Sequence, residues 1–446
     1  MLRLFILGGF LAGLIVCVRM DLSILYALVL GLFLFVFYAK RKGNSWKKIG
    51  EMLLAGALKV KNILLVFVCI GCLTATWRLC GTIPYIVYHS SALILPKVFL
   101  LSAFLLNCVL SYLTGSSFAA VGTIGTICMM LGKALGVPVI PLGGAIFSGI
   151  YFGDRCSPMS SSALLVAEIT ETDIYANTKA MFRTAIIPFS ISCVLYLLFR
   201  FDAADNVQMD SLGVLRDAYQ LHWICLVPAL LILVLCACKV DVKLTMMIST
   251  VTGILICLFL QKVPVSEIFH ALVFGFHPQN NEALESLLGG GGILSMKNVA
   301  GIVLLSASFS GIFENTDLFG DLEIWMNRLT EKITKEGALL VTAVLSCMVC
   351  CNQSLGTILT NQITKSFVKD NEERASCIED STIVLAGLVP WSIACAGPLA
   401  ILEVSGKSLF YAWYLYLLPV CMLLRGIYIR FRKTESGKRK MKESIS

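Results

Sequence analysis

The chain has 446 residues, 57% of them hydrophobic and only 14% charged, with a formal net charge of +8 and a mean hydropathy of +0.84. Soluble globular proteins carry about 25% charged residues, so composition excludes that class, and no polar stretch is long enough to form a separate soluble domain. The apolar runs are continuous and close to the ~20 residues of a spanning helix, unlike the short alternating segments of a β-barrel. The chain therefore reads as an all-α polytopic membrane protein.

Residues 2–18 form a first span that is expected to stay uncleaved. No small-residue cleavage site follows, and Val16 before Cys17 argues against lipoprotein processing. A second span, 22–39, ends at the basic loop Lys40–Lys48. Residues 425–446 hold eight Lys/Arg against two Asp/Glu. Positive residues flanking spans stay cytoplasmic, so both chain ends are expected inside and the number of full crossings should be even. Near anionic lipid each such side chain adds ~1 kcal/mol of attraction, which makes the bilayer the partner of this tail rather than nucleic acid.

Residues 50–61 form an amphipathic stretch expected at the membrane interface. A span follows at 62–77. The short segment 82–95, interrupted by Pro84, reads as a half-span or a re-entrant piece. The run 98–113 ends in Thr114-Gly115-Ser116-Ser117, and apolar character resumes over 118–132 and 135–152. A polar loop at 169–179 precedes spans at 180–199, 219–238 and 244–260. The segment 262–292 ends in four glycines, Gly289 to Gly292, which read as a hinge: no Gly-Lys-Ser/Thr follows and no strand precedes, so a phosphate cradle is excluded. After a span at 293–313 and a polar piece at 314–336, the run 337–351 ends at Asn352-Gln353-Ser354. An acidic segment, Lys369 to Ser381, leads into spans at 382–402 and 408–424. The tally is about 10–12 transmembrane helices.

The costliest stretch for a lipid-embedded chain is Gly149 to Ala167, where Asp154, Arg155, Pro158, Ser157, Ser160, Ser161 and Ser162 lie between apolar segments. A charged side chain at the bilayer centre costs roughly 2.5–3.5 kcal/mol, so it marks a functional site. Pro158 frees backbone carbonyls, and broken backbone at membrane depth is tolerated only inside protein or beside a water-filled cavity. Carbonyls, hydroxyls and one carboxylate make an oxygen-rich site suited to an alkali cation or a proton. A similar order of features recurs in the second half, where the break at Asn352 to Ser354 precedes Glu379-Asp380-Ser381 and then Pro390-Trp391-Ser392. Paired interrupted segments in two halves point to a transporter site at the midplane. The 18 cysteines lie mostly within apolar runs, as small buried residues, and the four histidines do not cluster, so no metal site and no cofactor is expected. No HExxH or GxSxG motif is present, so no catalytic residues are assigned and the chain does not read as an enzyme.

Gly153-Asp154-Arg155-Cys156-Ser157-Pro158-Met159-Ser160 is similar to the GD(K/R)xSP(L/M)S signature of the NhaC-type sodium/proton antiporters, a family of the ion-transporter superfamily. Thr114 to Ser117 resembles their TGTS break, and Val121 to Gly125 the glycine-rich continuation. Glu379-Asp380-Ser381 resembles their LEDS element and Leu388 to Trp391 their LVPW element, while Gly289 to Gly292 with Ser295-Met296 resembles their glycine run and the SM after it. The resemblance spans roughly residues 60–425 and implies an inner-membrane secondary antiporter exchanging Na⁺ for H⁺, built from two inverted repeats that each hold a discontinuous helix. It also implies that some relatives couple these ions to organic anions. On this reading residues 1–61 hold the N-terminal spans and basic loop, 62–200 the first repeat, 201–292 connecting spans and the hinge, 293–424 the second repeat and 425–446 the basic tail. A homodimer is compatible with it. The family commonly continues its motif with DTTNLA, where this chain has Ser161 and Leu164 at the Asp and Asn positions, and PWN is replaced by Pro390-Trp391-Ser392.

Antiport is then expected as competition for one carboxylate, with Asp154 taking either Na⁺ or H⁺. Ser157, Ser160 and Ser161 are expected to supply ligand oxygens, and Thr114, Gly115, Ser116, Gln353 and Ser354 to line the break. Glu379 or Asp380 is expected as a second proton carrier or gate, with Pro158, Pro390 and Trp391 at the helix breaks. Arg155 is expected to face the interface or to pair with another acid, such as Glu168, Glu171 or Asp173. The alternative function is exchange of a small organic acid or amino acid with Na⁺ or H⁺, which a less anionic site would suit and which helix N-termini at the breaks could assist. A pure channel is disfavoured by the doubled polar breaks.

Overall fold

The computed structural model describes residues 2–20, 22–90, 96–199, 207–238, 240–278, 282–316, 326, 328, 330 and 332–443. Part of the expected segment 82–95, much of the polar piece 314–336 and the last three residues of the tail lie outside these. Among the described residues there is no strand, only an isolated antiparallel bridge between Phe276 and Gly290. Six helices among these residues are long and apolar enough to cross a bilayer, or seven if the bent pair Asn371–Leu388 and Ile393–Ile401 is one span. The larger number expected from sequence also counted shorter apolar helices such as Phe5–Cys17, Phe99–Thr114 and Trp223–Cys236 as crossings.

Helices Leu2–Arg19 and Ile24–Arg41 pack on Lys297–Asn315 through a cluster of rings, with Phe10 and Phe309 centroids 5.8 Å apart and Phe35 and Phe313 4.8 Å apart. Helix Trp46–Leu58 covers the amphipathic stretch. Its Ile49, Met52 and Gly56 face inward and Gly56 crosses Gly311 of helix Lys297–Asn315, while Leu54 and Leu58 stay exposed.

The core of the architecture is two pairs of interrupted helices. In the first half, helix Phe99–Thr114 stops at Gly115, whose φ of +63° is the left-handed region that glycine enters without penalty. Ser116 follows in extended conformation, and its hydroxyl accepts the Ala119 N–H at 3.3 Å to start the next helix. The second half repeats this geometry: helix Lys335–Cys350 stops at Cys351 (φ +54°), and the Asn352 side chain accepts the Leu355 N–H at 3.3 Å. The helices that carry the acids are interrupted in a shared way too. Val139–Cys156 breaks through Ser157 to Pro158 and restarts at the capping Ser160, which opens Ser161–Thr170. Asn371–Leu385 runs through a 3-10 turn to Val389 and Pro390 and restarts at the capping Ser392, which opens Ile393–Ile401.

Three expectations about boundaries are corrected here. The acidic segment 369–381 is not a polar lead-in. It forms most of a helix N-capped by Asp370, which accepts the Glu373 N–H at 2.7 Å, and it carries Glu379 and Asp380 into the interior. The run 382–402 is not one straight span, since its two helical pieces meet at 53°. Likewise the polar loop 169–179 shrinks to a short turn, because Asp173 caps the long helix Ile174–Leu198 by accepting the Ala176 N–H at 2.8 Å.

The second piece of each interrupted helix packs on the opposite half of the chain. Ser161–Thr170 lies against Gln353–Thr364 and Asn371–Leu385: Val166 packs with Ala375, Ile378 and Ile383, and Asn361 donates to the Ile169 carbonyl at 2.9 Å. Ile393–Ile401 in turn meets the helix that begins at Ser117, where a Cβ on Gly397 would lie 2.5 Å from the Phe118 ring.

Candidate functional site

Asp154 is positioned by a close helix crossing. Gly149 and Gly153, four residues apart on one face, let helix Val139–Cys156 approach Phe99–Thr114 so nearly that a Cβ on Gly149 would sit 2.6 Å from the Phe104 carbonyl oxygen, and one on Gly153 would strike the Ser111 backbone. The Ser111 hydroxyl exploits this closeness by donating to the Gly149 carbonyl at 2.9 Å and accepting the Gly153 N–H at 3.0 Å. Asp154 follows directly, two residues before its helix ends.

The carboxylate is 4% exposed. Its Oδ2 accepts from Gln353 Nε2 at 3.0 Å, and Gln353 also donates to the Ile383 carbonyl at 3.0 Å. The Ser162 hydroxyl lies 3.3 Å from the same carboxylate oxygen and 3.1 Å from Gln353 Oε1, so its one proton serves one or the other. Ser117, the first residue of the helix after the first break, is buried and its helix packs against Val139–Cys156. Residues on both sides of the chain thus close around one acid. The assembled groups are a carboxylate, an amide oxygen and hydroxyls, all of them hard oxygen donors of the kind that alkali and alkaline-earth cations prefer over sulfur or imidazole.

The expected serine ligands behave differently from the expectation. Ser160 donates to the Asp154 backbone carbonyl and accepts the N–H groups of Ser162 and Ala163, so its hydroxyl is spent on the break. Ser157 accepts the Met159 N–H at 3.3 Å. Ser161 and Ser354 are exposed and turned away. Of the serines after Pro158, Ser162 is the one whose hydroxyl reaches the Asp154 carboxylate. Thr114 returns its hydroxyl to the Leu110 carbonyl at 2.9 Å. Gly115 and Ser116 do line the break, and a Cβ on Gly115 would lie 2.6 Å from the Met159 carbonyl carbon, so the two interruptions of the first half touch. In the second half the Trp391 indole donates to the Met348 carbonyl at 2.7 Å, and the Ile393 N–H donates to the Cys351 carbonyl at 2.9 Å. Pro390 and Trp391 therefore tie the second pair of interruptions together as well.

Arg155 neither faces the interface nor pairs with Glu168, Glu171 or Asp173. It is fully buried and forms an ion pair with Asp380, from the other half of the chain. Thr184 joins both, 2.5 Å from the guanidinium and 2.9 Å from the Asp380 carboxylate, while Met181 O and Tyr414 lie 3.2 and 3.4 Å from the guanidinium. The pairing satisfies two charges that burial would otherwise make very costly. A cavity of about 460 Å³ between Ile174–Leu198 and Trp413–Glu443 opens onto Asp380, with Arg183 and Arg425 among its lining residues. Glu379 stands beside the pair, also fully buried, and neither of its oxygens has a hydrogen-bond partner.

A buried carboxylate gripped between interrupted helices of a polytopic helical bundle is the arrangement of a secondary transporter, in which irregular backbone at membrane depth lines the cargo site. Residues 149–431 match the model of the Na⁺/H⁺ antiporter family, and the chain belongs to that family of multi-pass membrane antiporters. It is 29% identical over 438 residues to a malate-2H⁺/Na⁺-lactate antiporter of Bacillus subtilis, covering 95% of this chain and 92% of that protein. It is 26% identical to the Na⁺/H⁺ antiporter NhaC of Alkalihalophilus pseudofirmus, covering 86% of this chain and 85% of the relative. Among solved structures, the antimetabolite efflux pump MtrF of Neisseria gonorrhoeae aligns with 83% of this chain and 84% of its own, at 11% identity and a TM-score of 0.34.

Proposed function

We propose that this antiporter exchanges Na⁺ for H⁺, with Asp154 as the group for which the two ions compete. A carboxylate that holds a cation cannot at the same time hold a proton, so each ion's departure makes room for the other, and alternating access moves them in opposite directions. The observation that carries this reading is that Asp154 is buried and its carboxylate accepts a hydrogen bond from Gln353 across the two halves. Gln353 Oε1, Ser162 and Ser117 would supply further oxygens once Gln353 and Ser162 turn toward a cation. Asp380, locked to Arg155 under the Arg183–Arg425 cavity, fits a gate, and Glu379 a second proton carrier. Both chain ends face the cytoplasm of a plasma-membrane protein in this scheme, by the basic loop and tail.

A second reading is supported by a specific observation. The match to the malate/lactate relative spans nearly the whole chain, and Ser161, Leu164 and Ser392 replace an acid and two amides of the family pattern. A less anionic site admits a small organic acid as co-cargo with the ions.

The test is flux in proteoliposomes with an imposed pH gradient, offering Na⁺, Li⁺, K⁺ and a panel of organic acids in turn. Sodium-driven proton movement that Asp154→Asn reduces to background is the expected result. Undiminished flux in that variant overturns the assignment.

A further inference from the structure

We propose that Arg78 anchors a second binding site, for the carboxylate of a small organic acid, and that the chain's own Glu403 occupies it in this structure. Arg78 is 1% exposed at the far end of helix Lys61–Leu79, roughly 25 Å along the axis from Lys61. Its Nη2 contacts Glu403 Oε1 at 3.1 Å, and the Gly291 N–H donates to the same oxygen at 3.2 Å. Guanidinium plus backbone amide is a carboxylate cradle, and an arginine fork can grip both oxygens of a carboxylate at once. Glu403 uses only one arm. Nε and Nη1 of Arg78 are buried and have no hydrogen-bond partner. Buried donors left unmade cost about 1–3 kcal/mol each, so a structure that keeps two of them calls for an explanation.

Glu403 is an occupant that can be displaced. It lies in the turn after Ile393–Ile401, at φ +57°, a left-handed conformation that costs a non-glycine residue about 1–2 kcal/mol, and its side chain is 28% exposed. Strained residues of this kind gather at ligand clamps and switches. The glycine run clears the space: a Cβ on Gly290 would lie 2.5 Å from Glu403 Oε1 and 2.8 Å from Arg78 Nη1, and one on Gly291 would lie 2.8 Å from Arg78 Nη1. A cargo carboxylate would take Nη2 together with Nε or Nη1 as a fork and release Glu403 to solvent, which relaxes the turn that ends the second interrupted helix. This deepens the antiport reading by naming a cargo class, and rests on it only in treating the acid as something carried along with ions.

Binding is measured by titration calorimetry on the purified full-length protein, with succinate and propionate as probes and propionamide as the uncharged control. Wild type is expected to bind the acids but not the amide. Glu403→Gln should bind them about tenfold more tightly, having lost its internal competitor, and Arg78→Lys at least tenfold more weakly, since one hydrogen bond to a charged group is worth about 1.5–3 kcal/mol. Glu403→Gln is a gain-of-binding variant, so it decides the matter even if Arg78→Lys folds poorly. Acid binding by neither wild type nor Glu403→Gln, or equal binding by all variants, overturns the proposal. Asp154→Asn separates the two ideas: retained sodium-driven proton flux in that variant defeats the antiport assignment alone, while absent acid binding with flux abolished defeats only the Arg78 site.

Discussion

The two interrupted regions bend their backbones alike and furnish them differently. Gly115-Ser116 and Cys351-Asn352 each pair a left-handed residue with an extended helix cap, and Ser160 and Ser392 each cap a second piece two residues after a proline. Yet the first region places an acid two residues before the end of its helix, whereas the second offers an amide, Gln353, and holds its acids more than a turn deeper, at 379 and 380. The two regions share a backbone design, and one carboxylate stands at the point where the halves meet. One acid shared by two halves is what a competition between two ions requires.

The largest expected effect comes from exchanging the furnishings. Asp154→Asn should lower sodium-driven proton flux by about 100-fold, the equivalent of ~3 kcal/mol of lost charged contact, and adding Gln353→Asp should restore part of it by returning the acid from the other side. Flux in the double variant no higher than in the single one would show that the two positions are not interchangeable.

The ion pair that joins the halves is tested on stability rather than on flux. Arg155→Leu leaves Asp380 buried and uncompensated, which should cost about 3–5 kcal/mol in unfolding measurements in detergent, and Asp380→Asn added to it should recover much of that loss.

The left-handed residues test the backbone side of the comparison. Gly115→Ala should destabilise by about 2 kcal/mol or more, combining the left-handed penalty with a contact against Met159. Cys351→Gly should stay within about 1 kcal/mol of wild type in the same melting assay, because relief of strain offsets the loss of a small buried side chain.

The smallest effect separates neighbouring serines. Ser162→Ala should raise the sodium concentration for half-maximal flux about fivefold, the loss of a single hydrogen bond, and Ser161→Ala should leave it unchanged.

Much of this scaffold is legible in the sequence, because a membrane chain must advertise its exceptions. Hydroxyls at Thr114 to Ser117 and amides at Asn352 and Gln353, each closing an apolar run, mark the breaks, and an acid before Pro158 marks the site. Helix phase was not legible to the same degree: choosing Ser162 over Ser161 requires knowing that Ser160 is the cap. Pairings across the halves were hidden for a different reason. Arg155 meets Asp380 225 positions away and Arg78 meets Glu403 325 positions away, so local pattern carries no trace of either. The same cause misread residues 369–381. Glu379 and Asp380 read as a proton carrier or gate, but nothing local shows that the arginine from the other half lies beside Asp380.

The exchange of helix ends between the halves has a mechanical consequence. Ser161–Thr170 leans on one half while belonging to the other, and Ile393–Ile401, resting chiefly on its own half, also meets the helix that begins at Ser117. Neither end can swing away from the centre without dragging on its neighbour's foundations. A leak, in which one side opens while the other has not yet shut, would have to tear this mutual grip apart.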